Sequence, residues 1–183
     1  MAVKGLDKAL QNLEALDQKV VPRASVQAIN RVAGRAISKS TREVSGSSRV
    51  PRKLVNQRAK LTRATLRKPR ATIQVNRGNL PAIKLGVASV RLNRRKGMSK
   101  GGAVLQVGRF KFPGAFIQQL ANGRWHVLQR TTKARYPVEV VSIPLAIPLT
   151  TAFNKNVKSM AEDDMSKEFA AALKNQLRII STR

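Results

Sequence analysis

The stretch FIQQLANGRWHVLQ, residues 116–129, carries the strongest local folding signal of the chain. Two runs that mix apolar and polar side chains, Phe116 to Leu120 and Trp125 to Gln129, flank the pair Asn122-Gly123. An Asn-Gly pair between two such runs is the best short-range signal for a two-residue hairpin turn, because both residues tolerate positive φ angles. The stretch therefore predicts an antiparallel β-hairpin with Asn122-Gly123 as its turn.

Further strand patterns lie on both sides of this hairpin. Ala71, Ile73 and Val75 alternate with polar residues, which is the period of a half-buried strand. Other β-like runs cover residues 83–85, 87–92, 103–107 and 138–143. Pro144 and Pro148 follow the last run and interrupt a ladder, so the sheet should end near Ile143. The centre of the chain is predicted to be a mostly antiparallel β-sheet.

Helices are predicted before the sheet. Leu6, Leu10, Leu13 and Val20 recur at helical spacing, and Pro22 suits the first turn of a second helix that runs toward Val44. Residues 45–48, which are Ser and Gly, predict a loop, and Pro51 can open a short basic helix through residue 58. The second helix is amphipathic. Its apolar face holds Val26, Ile29, Ala33, Ala36, Ile37, Ser40 and Val44, and its opposite face holds Arg31, Arg35, Lys39 and Arg42.

The C-terminal residues predict a long helix that is kinked or broken. Apolar residues change sides along it: the first group lies about 180° from the second at 100° per residue. The first group is Phe153, Val157 and Met160, and the second is Phe169, Leu173, Leu177 and Ile180. The change falls at residues 163–166, which suit a helix break or a new N-cap. We expect the two groups, Ile180 aside, to form protein interfaces with two different packing partners.

These patterns define an α+β fold in a single domain, residues 1–183. It divides into a helical N-terminal part (1–45), a basic β-rich part (49–147) that contains a charged, Gly-containing loop (93–102), and a C-terminal helix (148–183).

The charge is extreme and uneven. The chain has 36 Lys and Arg against 9 Asp and Glu, a net charge of +27. Between residues 44 and 138 there is no acidic residue, although 22 Lys and Arg fall there. Self-repulsion on this scale opposes compaction unless an anionic partner supplies opposite charge. We expect that partner to be nucleic acid or an acidic protein surface.

Two groups of cations are candidates for contacts with the DNA backbone. A charged helix face is usually only solvated, but such faces normally interleave acids, and Glu43 is the only acid close in sequence to the predicted stripe. No zinc finger, basic zipper or helix-turn-helix pattern is present, so backbone contact without sequence specificity is expected. The candidates are Arg31, Arg35, Lys39 and Arg42 on the second helix, and Arg94, Arg95, Lys96 and Lys100 in the loop.

Catalytic and metal chemistry have little support in the sequence. The chain has no cysteine and one histidine, His126, which is predicted to be packed or hydrogen-bonded on a strand. The adjacent acids at 162–164 are expected to mark a helix end. Neither of the nucleotide-binding motifs GxxxxGK[ST] and GxGxxG occurs in the sequence. We therefore expect no enzyme, no cofactor and no metal site, and the absence of a signal peptide or a long apolar run predicts no membrane association.

Long stretches of the chain resemble the minor tail protein Z family of lambda-like tailed phages. The members of this family are tail completion proteins. The most idiosyncratic are PGAFIQQLANGRWHVLQR, residues 113–130, and RYPVEVVSIPLAIPLTTAF, residues 135–153. Shorter stretches at residues 2–6, 28–33 and 75–86 are also similar, so the resemblance covers nearly the whole chain.

The resemblance implies a structural role at the head-proximal end of the tail, the neck, where such a protein joins head to tail and helps to place the genome end. It implies a virion protein that is assembled in the host cytoplasm. The expected partners are further copies in a ring, with a hexamer favoured, the tail terminator and other neck proteins, the tape measure protein, and double-stranded DNA in the channel. The alternative is a free, non-specific nucleic-acid-binding protein, for which the charge alone would serve equally well.

Overall fold

The computed structural model describes residues 16–91, 104–132, 134 and 136–181. It has the predicted α+β fold. The long helix α1 (Val21–Ser48) follows one π-helical turn (Leu16–Val20) and precedes a short helix α2 (Arg52–Asn56). Within the described residues, ten strands and a 3-10 turn (Ala82–Leu85) come next, followed by the helices α3 (Ala146–Asp163) and α4 (Met165–Ser181). The strands are β1 (Ala59–Thr62), β2 (Thr72–Val75), β3 (Leu80–Pro81), β4 (Ala88–Arg91), β5 (Val104–Val107), β6 (Phe110–Pro113), β7 (Ala115–Gln119), β8 (Trp125–Arg130), β9 (Val138–Val140) and β10 (Ser142–Ile143).

All strand pairs are antiparallel, but they form four small sheets where one central sheet was expected. These are β1–β2, β3–β10, β4–β5–β6 and β7–β8–β9. β1, β3 and β6 were not predicted. The predicted strand at 83–85 is wrong: the 3-10 turn brings Ala82 and Leu85, three residues apart, into the core together.

The hairpin of β7 and β8 pairs Gln119 with Trp125, but its turn differs from the predicted one. The N–H of Gly123 donates to the carbonyl of Leu120 at 2.9 Å, so Ala121 and Asn122 are the central turn residues. Gly123 alone takes a positive φ, 72°. This is the longer hairpin loop in which a glycine follows a type I turn, and it needs no positive φ at Asn122.

Helix α1 begins where Pro22 predicts but continues through the predicted loop at residues 45–48. The hydroxyl of Ser48 donates to the carbonyl of Val44 at 2.6 Å, and the Val44 side chain is buried. The last turn is therefore held by a hydrogen bond and by the packing of Val44. Arg49, in the left-handed region with φ 58°, ends the helix.

The core lies between α1, α3 and the sheets and is mainly aliphatic. Small side chains on α1, among them Ala28, Ala36 and Ser40, let α3 and α4 approach it closely. Helix α3 starts at Ala146, two residues before Pro148, which occupies the first turn where a missing N–H costs no hydrogen bond.

The predicted break in the C-terminal helix is confirmed. Helix α3 ends at Asp163 and α4 starts at Met165. Both pieces pack against α1, so the expectation of two different packing partners is wrong for the isolated chain. The N-terminal residues 1–15 and the whole loop 93–102 lie outside the described residues, and so does the predicted helix at Leu6 to Leu13.

Candidate nucleic-acid interface

The predicted cationic stripe on α1 is divided by acids from α4. Arg35 lies 2.6 Å from one carboxylate oxygen of Glu168 and 3.9 Å from Asp164, and Arg31 lies 3.5 Å from the other oxygen of Glu168. The Glu168 side chain is only 10% exposed. Arg31 and Arg35 are one helical turn apart, as are Asp164 and Glu168, so two adjacent turns of each helix meet. These two arginines therefore hold α4 against α1 and carry little free charge.

The rest of the stripe has no acidic partner. Lys39 and Arg42 are exposed, and among the described residues neither side chain has a hydrogen bond or an ion pair. Arg52 of α2 joins them: its guanidinium donates to the carbonyl of Ser38 at 3.3 Å. The free part of the stripe is thus Lys39, Arg42 and Arg52. The loop candidates Arg94, Arg95, Lys96 and Lys100 lie outside the described residues.

A second group of free cations lies at the end of the β1–β2 hairpin. We call residues 63–70, which connect the two strands, the basic tip. Its four cations, Arg63, Arg67, Lys68 and Arg70, are exposed, and no acid of the described residues pairs with their side chains. They belong to the 22 cations of the acid-free segment, but they were not among the predicted DNA contacts. Their density in an acid-free segment was the available signal.

Two hydrogen-bonding residues fix the hairpin to the rest of the fold. The amide of Asn30 on α1 forms two hydrogen bonds with the backbone of Ala64: it donates to the carbonyl at 3.0 Å and accepts from the N–H at 2.8 Å. Arg58 donates to the carbonyls of Asn76, Gly78 and Asn79 and so holds the segment after β2. Burial lowers the pKa of Arg58 from its ordinary value. Arg58 is therefore a structural cation.

The predicted protein-interface residues are not equally available. Phe153 is 5% exposed and belongs to the core, so its contacts are within the chain. Val157, 37% exposed, lines a groove of about 510 Å³ between α3 and the apolar residues Ala71, Ile73 and Val75. Met160, Phe169 and Leu173 are half-buried, and Leu177 is 41% exposed.

No catalytic arrangement is visible in the described part of the chain. His126 is half-buried on β8, and neither of its ring nitrogens has a hydrogen-bond partner there, so it is packed but not hydrogen-bonded. Within residues 16–91, 104–132, 134 and 136–181, no three His, Cys, Asp or Glu side chains are grouped to hold a metal ion. Helices in the same ranges include none that is long and apolar enough to cross a membrane.

Comparison with known proteins decides the family. The family model described as prophage minor tail protein Z matches residues 3–183. The chain belongs to the minor tail protein Z family. It is 63% identical over 184 residues to the tail completion protein of Escherichia phage N15 and 51% identical over 192 residues to tail completion protein Z of Escherichia phage lambda. Each comparison covers 100% of both chains. No solved structure matches the chain.

Membership of the minor tail protein Z family confirms the resemblance inferred from residues 113–130 and 135–153. The second of these stretches contains β9, β10 and the first half of α3, and the first contains the hairpin of β7 and β8. The stretches that carry the resemblance therefore form sheet and core elements, whereas the free cations of the stripe and the basic tip lie in other segments.

Proposed function

We propose that this chain is a structural tail completion protein of a tailed phage. It acts in the neck, at the head-proximal end of the tail, where it joins head to tail and contacts the genome end. The observation that carries this proposal is the similarity, over their whole lengths, to two tail completion proteins. A non-enzymatic role agrees with the single, half-buried histidine and the absence of cysteine.

Mass spectrometry of purified virions tests this location. We expect the chain at a few copies per particle, in the tail fraction after heads and tails are separated. A free nucleic-acid-binding protein, the alternative suggested by charge alone, would remain in the lysate. Absence of the chain from particles that are washed at high salt would contradict the proposal.

The proposed contact with the genome rests on the cations that have no acidic partner within the chain. At a net charge of +27, the described ion pairs neutralise little, so counterions must be displaced when an anionic partner binds. The chain should then bind duplexes of unrelated sequence with similar affinities, and each affinity should fall steeply as the salt concentration rises. Lys39 and Arg42 remain candidates from the predicted stripe, and Arg31 and Arg35 do not.

A ring of identical copies, with a hexamer favoured, is proposed for the assembled state. Its neighbours would be the tail terminator, other neck proteins and the tape measure protein. The exposed Leu177 and the groove beside Val157 are the parts of the predicted interface that remain available for such contacts. A cryo-EM map of the neck tests the ring: continuous density for copies of this chain around the channel supports it, and a single copy would contradict it.

A further inference from the structure

We propose that the basic tip, residues 63–70, is the part of this chain that grips the backbone of double-stranded DNA. This inference rests on the proposed function, since it assumes that the chain meets the genome, and it names the contact surface.

The positive charge of the tip is concentrated and has no acidic neighbour. Arg63, Arg67, Lys68 and Arg70 lie within eight residues and project from a hairpin whose strand β1 adds the exposed Lys60. No acid is present between residues 44 and 138, so no neighbour in sequence compensates them. In the described residues none of these side chains has an ion pair or a hydrogen bond. The tip is therefore a concentrated group of uncompensated cations, which is what phosphate contact requires.

The backbone of the tip is preorganised by hydrogen bonds. Thr65 and Lys68 close the tip by two backbone hydrogen bonds, of 2.9 and 3.1 Å, and the Thr65 hydroxyl accepts a third from the Lys68 N–H at 3.2 Å. Asn30 fixes Ala64 at the base of the tip through its two hydrogen bonds. Ala64 is buried although its neighbours are exposed. The backbone is thus held in place before any ligand binds, which lowers the entropy cost of binding.

An exposed apolar side chain lies at the apex of the tip. Leu66 is 57% exposed and is flanked by Thr65 and Arg67 at the end of the hairpin. A single exposed leucine among cations offers little apolar area for a protein interface, which needs about 1,000 Å² in total. Proteins that bind the DNA minor groove use such an apolar side chain next to arginines. The tip fits a duplex groove better than a protein surface.

The tip is attached to the face of α1 that lies opposite the stripe residue Lys39. Asn30, which holds the tip, and Lys39 are nine residues apart on α1, which is half a turn about the helix axis at about 100° per residue. Each group is therefore tested by its own variant. The tip has more free cations than the stripe.

The test compares three variants of the full chain in binding to a 30-base-pair duplex at increasing salt. The tip variant carries Arg63→Gln, Arg67→Gln, Lys68→Gln and Arg70→Gln. The matched control removes the same number of each residue type from exposed positions elsewhere, as Arg23→Gln, Arg77→Gln, Arg124→Gln and Lys155→Gln. The stripe variant carries Lys39→Gln and Arg42→Gln. Circular dichroism establishes that each variant is folded.

We expect the slope of log affinity against log salt to become shallower by about 3 to 4 in the tip variant, at about 0.9 per phosphate contact, and by less than 1 in the other two. Leu66→Ala should weaken binding with the slope unchanged, because it removes no charge. A slope that becomes shallower in the stripe variant and not in the tip variant overturns the inference but leaves the proposed function intact. Infectivity lost in the tip variant with DNA binding unchanged assigns the tip to a protein partner and also overturns it.

Discussion

At the scale of single residues, Glu168 determines the role of two arginines that were predicted to contact DNA. It is nearly buried and lies within 4 Å of two arginines of α1, so it and Asp164 together balance the two positive charges. The predicted DNA contacts included these arginines because Glu43 is the only acid close to them in sequence, whereas Glu168 is 137 residues away from Arg31. Spacing along one helix reveals only the partners on that helix, and here the partners come from another.

Glu168→Gln should therefore destabilise the chain. The substitution leaves Arg31 without a carboxylate and Arg35 with only Asp164, 3.9 Å away. We therefore expect the free energy of unfolding in urea to fall by about 1 to 2 kcal/mol, between the values typical of exposed and buried pairs. Glu162→Gln, at an exposed position without an ion pair among the described residues, is the control and should have almost no effect. Equal stability of the two variants would contradict the assignment.

Gly108 illustrates a constraint of another kind. It lies in the turn between β5 and β6 with φ +58°, and an added Cβ would come within 2.9 Å of the Leu85 carbonyl oxygen. Gly108→Ala should reduce stability by more than about 1 kcal/mol, the cost of left-handed backbone alone. Gly46→Ala is the matched control, because nothing lies within 4 Å of its added Cβ and α1 should gain from alanine. Thermal unfolding of both variants checks the opposite signs.

At the scale of elements, α1 organises the molecule. Its cationic stripe was expected to act as one unit, but its first half binds α4 and its second half is free. Arg31→Gln with Arg35→Gln should lower stability and leave the salt dependence of DNA binding nearly unchanged, because these charges are already compensated. Arg63→Gln with Arg67→Gln, which removes the same charge from the basic tip, should make the slope shallower by about 2. The reverse pattern would restore the original stripe hypothesis.

Asn30 connects α1 to the hairpin, and its removal should free the basic tip without unfolding the chain. Asn30→Ala deletes two hydrogen bonds to Ala64, each worth about 1 kcal/mol net. We expect faster tryptic cleavage at Arg63 and Arg67 and faster hydrogen exchange at the Ala64 amide. Asn154→Ala, an exposed site on α3, serves as the control. Unchanged cleavage would show that the hairpin is held by other contacts.

Elements whose pattern is local could be predicted from the sequence. The start of α1 at Pro22, strand β2 with its alternating Ile73 and Val75, and the break at residues 163–166 follow from periodicity and capping. The strands β1 and β6 were missed because their alternation of half-buried and exposed residues covers only four positions, against six in the run 71–76. Pairing with β2 and β5 is what defines them. The 3-10 turn at Ala82 was read as a strand for the same reason: only the core shows which face is buried.

At the scale of the whole molecule, charge compensation is local while the excess is global. The ion pairs of the described residues gather at one place, between α1 and α4, and leave the basic tip and the free part of the stripe uncompensated. The fold thus uses acids to close its own helix packing and leaves other cations exposed. Such an excess of exposed cations agrees with the proposed contact between a phage tail component and DNA.

The central claim, that the chain completes the phage tail, is tested most directly by electron microscopy of lysates from a phage that lacks its gene. We expect full heads and tails that fail to form infectious particles, and recovery of infectious particles when the chain is supplied from a plasmid. A lysate with a normal yield of infectious particles in the absence of the chain would contradict the account.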